Sequence, residues 1–438
     1  MNIFIFCGPL AFGMGGMEKV AVNLANYLSI QHRVTLGFFS REGQIKPAYE
    51  VDLKVVLAPW DFKSDGSRPT YSKRIIESQP DIFIYFGASS QALQVISLLW
   101  KCSTPIIMHE GSNPERVITT SWSAPRKITR YEAAWERELL YEQAAAIRFT
   151  MPEYLKSLPL ELRSKARAFP NAFSIPDNWE SDKVNKRIIN IGGLKPNKNI
   201  KPLLSACREL FGVFPDWELH VFSATNKTPA GEVYVREVEQ KIAEYGLDAN
   251  VFVRGEVDDI DKEYRRSDVH VITSFSEGLS NAVAESMTYG LPTIGIKGVP
   301  GVDGLVRHGA NGYLADKENL ENDLFVYLKA LILDDKLRKK LALQARQDSI
   351  MFDPEKINKE WESLIHYAVE KNIGENSSEM EKHYDRLRDN LYKKVVKDFG
   401  MEAGDDDVSH ELSRAQQLNE SFLTVQESRL ERERWMDE

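Results

Sequence analysis

The sequence is poor in cysteine, in long apolar runs and in excess basic charge. Its three cysteines, Cys7, Cys102 and Cys207, lie far apart in apolar surroundings. That spacing excludes a disulfide framework and a cysteine-based zinc site, and it predicts a reducing compartment. No apolar run approaches the ~18 residues of a membrane span. Met1-Asn2 leads straight into Ile3-Phe4-Ile5-Phe6, with no basic start and no cleavage site, so no signal peptide is expected. A cytoplasmic location follows as the expectation. The net charge is -9, of which the residues from Glu375 onward carry -7. A nearly neutral body excludes the basic footprint of a nucleic-acid binder. Two nucleotide fingerprints are also missing. Gly13, Gly15 and Gly16 have the wrong spacing for Gly-x-Gly-x-x-Gly, and no Gly-Lys-Ser/Thr P-loop occurs. No Asp-x-Asp is poised at the end of an expected strand; the acid run at 405–407 reads as solvated charge.

What is present is an α/β rhythm. Short apolar runs at 2–7, 33–39, 81–86, 105–109 and 147–150 read as strands, with helical patterns at 17–30, 89–100 and 127–145 between them. Strands alternating with helices predict a parallel sheet covered on both faces. The stretch 169–186 (FPNAFSIPDNWESDKVNK) is rich in Pro, Asn, Asp and Ser and breaks the rhythm, as a linker does. Strands then return at 187–191, 218–222, 250–254, 269–273 and 292–296, with helices at 201–211, 232–245 and 281–289. This is a second doubly wound unit. A length of 438 residues agrees, because one core rarely grows so large. The expected domains are 1–170 and 187–353, joined by a linker at 171–186. A further helix at 354–373 carries Trp361, and an acidic helical tail spans 375–438. In the tail Met380, Tyr384, Leu387, Leu391, Val395 and Phe399 step by three or four, an apolar stripe that needs cover. Self-association through these helices is the expected cover.

Two segments carry chemistry. GPLAFGMGG at 8–16 joins the first strand to the first helix, where glycine lets backbone approach a ligand and a helix start favours anions. SFSEGLSNAVAESMTYGLP at 274–292 places Glu277 in a loop before a helix and Glu285 about one turn inside it. The helix start near Ser280 and Asn281 suits a diphosphate. A carboxylate one turn further in can accept the two vicinal hydroxyls of a ribose. A carboxylate in the preceding loop can reach a sugar beside the phosphates. Ligands of doubly wound folds sit at the carboxyl ends of strands, where this segment lies.

The wording EGLSNAVAESMTYGLP resembles the signature of the large fourth family of retaining glycosyltransferases with the GT-B fold, two glutamates separated by seven residues. GGMEKV (15–20) resembles that family's N-terminal loop, whose backbone at Gly15 and Gly16 would approach the donor phosphates. IIMHEGSNP (106–114) resembles its strand ending in a histidine, here His109, that faces the donor sugar. GGLKPNKN (192–199) resembles the element that presents an arginine and a lysine to the diphosphate. Lys198 matches the lysine, whereas Gly193 stands where the arginine belongs. Lys195 and Arg254 are the candidates to replace it, and the sequence leaves that choice open. VRGEV (253–257), GANGYLA (309–315) and the helix with Trp361 also match.

The resemblance covers everything except the tail. It implies two Rossmann-like domains facing a cleft and sugar transfer, with retention, from a nucleotide-sugar to a hydroxyl of a glycan or glycolipid. It implies no metal or other cofactor, and work at the inner membrane face with peripheral contact. His109, Glu277 and Lys198 are the expected catalytic residues. Gly15, Gly16, Gly193, Lys195, Arg254, Gly278, Leu279, Ser280, Asn281 and Glu285 are expected around the donor. Trp122, Tyr131 and Trp135 are candidates for an acceptor site, against the plainer reading of helix packing. Two other readings stay open: a catalytically inactive binding subunit of the same fold, and a sugar-nucleotide epimerase.

Overall fold

The computed structural model of the protein describes residues 1–8, 10, 15–40, 47, 49–61, 75, 77–87, 104–114, 137, 140–177, 184–223, 229–255, 257 and 259–371. The helices expected at 89–100 and across most of 127–145 lie outside the described residues, as do Trp122, Tyr131, Trp135, Cys102 and the tail.

The first parallel sheet is built from β1 (Asn2–Cys7), β2 (Arg33–Ser40), β3 (Val56–Asp61), β4 (Ile82–Phe86), β5 (Ile106–Glu110), β6 (Ala146–Phe149) and β7 (Ala166–Ala168). Their order is β3-β2-β1-β4-β5-β6-β7. The run NIFIFC is apolar on both faces because the sheet is covered on both. Helix α1 (Gly16–Leu28) buries Val20, Ala21, Leu24, Ala25 and Leu28, the spacing of one apolar stripe. Its N-cap is Gly15, without a side chain to cap the first N–H groups.

The second parallel sheet has the order β10-β9-β8-β11-β12-β13. Its strands are β8 (Arg187–Ile191), β9 (Glu218–Phe222), β10 (Val251–Arg254), β11 (Val269–Val271), β12 (Thr293–Ile296) and β13 (Gly312–Ala315). Its helices are α2 (Lys201–Val213), α3 (Pro229–Glu244), α4 (Ile260–Arg265), α5 (Asn281–Thr288), α6 (Pro300–Asp303), α7 (Leu320–Leu333) and α8 (Asp335–Asp348). In each sheet the chain leaves the first-formed strand in one direction and later returns on its other side. β1 thus lies between β2 and β4, and β8 between β9 and β11. These switch points open a crevice at the carboxyl ends of the strands.

Helix α9 (Pro354–Lys371) follows the second sheet but packs on the first. Ile357, Trp361, Leu364, Ile365 and Ala368 join the core that holds Ile3, Ile5 and Phe86. The Trp361 ring lies 6.1 Å from that of Phe86 and 5.5 Å from that of Phe169. Burying a large side chain of this kind contributes roughly 1.5–3 kcal/mol.

Three strands were not expected: β3, β7 and β13. All are sheet edges. Edge strands are short and need no continuous apolar run, and β3 contains Pro59, which an edge tolerates because it lacks only an outward N–H.

Candidate functional site

The loop between β11 and α5 is pinned from several directions. Thr273 donates its hydroxyl to Lys198 O at 3.0 Å, and Phe275 N–H donates to Asn197 O at 3.0 Å. Buried Tyr154, from the first unit, donates its hydroxyl to Gly278 O at 2.6 Å and lies 3.1 Å from Glu277 O. Three glycines then stack backbone on backbone. A Cβ at Gly278 would sit 2.1 Å from Gly111 O, and one at Gly301 would sit 2.1 Å from Gly278 O. The two units therefore touch through main chain at Gly111 and Gly278. Ser280 N–H donates to Gly301 O at 3.0 Å. The N–H groups of Asn281 and Ala282, in the first turn of α5, have no acceptor among the described residues.

Both glutamates are paired with lysine. Glu277 Oε1 is 2.6 Å from Lys198 Nζ. Gly192 leaves the space beside that lysine open: a Cβ there would meet its stem at 3.5 Å. Glu285 Oε1 is 2.6 Å from Lys19 Nζ, and its Oε2 accepts from Tyr264 at 3.0 Å. Lys19 belongs to α1, so this ion pair joins the two units. Asn281 does the same twice: its Oδ1 accepts from Asn171 at 2.8 Å, and its Nδ2 lies 2.3 Å from where a Gly16 Cβ would be. Gly15 and Gly16 are therefore brought to the start of α5. Leu279 is buried behind it.

His109 is placed differently from expectation. It is 1% exposed and does not meet Glu277. Its Nδ1 is 2.9 Å from Arg148 Nη1, and its ring lies 4.4 Å from Phe86 and 6.0 Å from Trp361. Arg148, fully buried, also donates to Asn171 Oδ1 and to the carbonyls of Phe169 and Pro170 at 2.7–2.9 Å. The reason is packing: α9 and the 169–171 segment close over the end of β5, and the imidazole becomes the acceptor of a buried guanidinium. Arg148 links His109 to Asn171, whose amide meets Asn281, and a Cβ at Gly111 would fall 3.1 Å from the His109 Nε2. Burial pushes the Arg148 guanidinium down to about 9.

Gly193 has φ +86°, in the left-handed region that favours glycine. An arginine side chain on that backbone would be strained, so the missing counter-charge is not restored by a single substitution. Of its candidate replacements, Lys195 is exposed and its field lowers the Glu18 carboxyl, whose pKa burial raises. Arg254 is exposed and lies over the Phe252 ring at 4.9 Å. Neither meets Lys198 or Glu277 in the structure.

Sequence reasoning missed the group that shapes the 111–114 loop. Buried Glu110 accepts from Ser112 N–H at 2.9 Å and from Tyr141 at 2.8 Å, and it ion-pairs with Arg137 at 2.8 Å. Its only sequence signal was a charged residue closing an otherwise apolar strand. It also missed Lys19 and Tyr264, which meet Glu285 from distant parts of the chain.

The buried histidines set an acid limit on stability. Burial and the Arg148 charge hold His109 well below 6.5, and burial pushes His270 down to about 3. Below 6.5 the unfolded chain binds protons that these rings refuse, so stability falls as pH falls through that value. The slope is up to about 1.4 kcal/mol per pH unit for each ring. Glu18 and Asp268, raised by burial, act with the opposite sign and nearer their own range. Thermal unfolding of His109→Gln between pH 7 and 5 is expected to show a flatter decline than the parent. An identical decline would mean that His109 titrates normally in the folded protein.

Two parallel sheets, facing switch points and a glutamate pair at the start of α5 define the class of fold: GT-B, two Rossmann-like units. Residues 173–348 match the family model described as glycosyl transferases group 1. The chain is 25% identical over 366 residues to an uncharacterized glycosyltransferase of Haemophilus influenzae, across 80% of this chain and 96% of that one. It is 24% identical over 363 residues to the GalNAc-alpha-(1->4)-GalNAc-alpha-(1->3)-diNAcBac-PP-undecaprenol alpha-1,4-N-acetyl-D-galactosaminyltransferase of Campylobacter jejuni, across 80% of this chain and 95% of that one. Its fold resembles that of Anabaena HepE, solved in complex with UDP and glucose. The TM-score is 0.68, at 18% identity, across 84% of this chain and 99% of that one.

Proposed function

We propose that the protein transfers a sugar, with retention, from a nucleoside-diphosphate sugar to a hydroxyl of a glycan or lipid-linked glycan acceptor. The carrying observation is the convergence of Glu285, the Lys198–Glu277 pair and the free N–H groups of α5 on one cleft. In this reading Glu285 takes the ribose hydroxyls, and Asn281 and Ala282 N–H with Lys198 take the diphosphate. Gly15 and Gly16 bring main chain to the phosphates. Charge develops on the leaving diphosphate as the sugar bond breaks, and fixed donors aimed there lower the barrier. Glu277 holds Lys198 in place and lies in the loop that meets the sugar. The similarity to the Campylobacter enzyme, whose name describes a lipid-diphosphate-linked acceptor, supports assembly of a surface glycan. No helix among the described residues is long and apolar enough to cross a membrane, so contact with such an acceptor would be peripheral.

Metal independence is part of the proposal, since lysines and helix N–H groups supply the counter-charge. A panel of nucleoside-diphosphate sugars tests the reading, scored by thermal shift, by hydrolysis and by the anomeric configuration of product. One donor should stabilise the protein by about 2.7 kcal/mol at a hundred times its Kd. Turnover should persist in excess EDTA. Binding without turnover would favour an inactive binding subunit, and activity lost to EDTA but restored by magnesium would refute metal independence. No stabilisation by any donor would overturn the function itself.

A further inference from the structure

Lys19 leaves the first turns of α1 and crosses the cleft to Glu285, 2.6 Å away. The lysine side chain is 29% exposed and the glutamate 14%, so the pair is open to an entering ligand. Three residues earlier, Gly16 lies against the Asn281 side chain. Lys19 therefore reaches α5 about one turn beyond its start, from the opposite unit. The turn before that point carries the N–H groups that face the diphosphate in the reading above.

Among its described residues, the second unit is short of cations at this point. Lys198 is engaged with Glu277, Gly193 has no side chain, Arg254 lies over Phe252, and Lys195 is exposed. A diphosphate brings more than one negative charge, and one lysine does not balance it. Both oxygens of Glu285 are already engaged, by Lys19 and Tyr264, which leaves fewer lone pairs for the vicinal hydroxyls of a ribose.

We infer that Lys19 is the second diphosphate-binding cation of this site: it turns from Glu285 to the phosphates when a nucleoside diphosphate enters, and frees that glutamate for the ribose. The inference rests on the nucleotide-sugar reading. Asn281 and Glu285 are four residues apart, so the ammonium moves by about one turn, ~6 Å along the helix. The flexible four-carbon stem of lysine spans that distance. Because Lys19 comes from the first unit, the diphosphate, and not the nucleoside, draws the two units together.

The test is calorimetry on the full chain with UDP, GDP and ADP, then with the monophosphate and nucleoside of whichever binds best. The Lys19→Met protein, checked for unchanged thermal unfolding, should bind the diphosphate about 10- to 100-fold more weakly, the loss expected for a hydrogen bond to a charged group. The monophosphate should lose less, and the nucleoside should bind as well as before or more tightly, because Glu285 is already released. Lys19→Arg should recover most of the diphosphate affinity. Equal loss for all three ligands would overturn the inference, because Lys19 would then act only by placing Glu285. Equal gain would overturn it too, because Lys19 would then only compete for Glu285. If the parent protein binds no nucleoside diphosphate, the proposed function falls, and the inference with it. A parent that binds while Lys19→Met leaves its affinity unchanged sinks the inference alone.

Discussion

Alanine at Gly278 is expected to reduce turnover by about 100-fold while each unit keeps its fold. The added Cβ would sit 2.1 Å from Gly111 O and 2.9 Å from Ser112 Cα. Those are main-chain atoms, held by Glu110 through Ser112 N–H, so they cannot swing aside like the end of a side chain. Gly278 does not have a positive φ, so alanine meets no conformational strain of its own. The clash is therefore with the other unit and acts on closure. Holding the units even ~1 Å too far apart would displace Lys19, Gly15 and Gly16 from α5, and a misplacement of that size costs on the order of 10²-fold. Gly301→Ala is the control. Its Cβ would meet Gly278 O at 2.1 Å inside the same unit, so it should destabilise that unit by about 1–3 kcal/mol through overpacking. Steady-state kinetics beside thermal unfolding separates the two. A well-folded Gly278→Ala enzyme with parental turnover would show that the Gly111 contact is not needed for transfer.

Glutamine at Glu285 is expected to weaken donor binding by about 10- to 100-fold, since a charge-assisted hydrogen bond contributes about 1.5–3 kcal/mol. The substitution keeps the size and the Tyr264 contact but removes the charge that holds Lys19. Stability should change little, because a partly exposed ion pair contributes about 0–1 kcal/mol. The loss should appear with the nucleoside alone as well as with the diphosphate, because the ribose is common to both. That pattern is opposite to the one expected for Lys19. An unchanged nucleoside dissociation constant would end the ribose assignment.

Much of the α/β pattern of both units was legible beforehand. β1, β8 and β9 fall at their expected limits, and α5 begins at Asn281 as expected. These are central elements, covered on both faces or by a helix, so their apolar pattern is dense and bounded by turn residues. Three of the four edge strands, β3, β7 and β13, were not legible for the opposite reason; the fourth, β10, was expected at 250–254. The Glu277–Glu285 spacing was readable too, because both residues sit on one loop and the helix that follows it.

His109 shows where this kind of reading stops. Its place at the end of β5 was correct, but strand position does not decide which way a side chain is engaged once α9 and residues 169–171 close over it. The partners of Glu285 show the same limit: Lys19 is 266 residues away and Tyr264 is 21. Local sequence determined the α/β units, the α5 helix start and the absence of cysteine, membrane-span and P-loop chemistry. Tertiary structure alone decided that Lys19 pairs with Glu285, that Gly111 rests on Gly278 and that Arg148 occupies His109. The physical reason is range. Periodicity, capping and turn preference act over one to four residues, whereas an ion pair or a backbone contact across a cleft depends on how two separately folded sheets come to face each other.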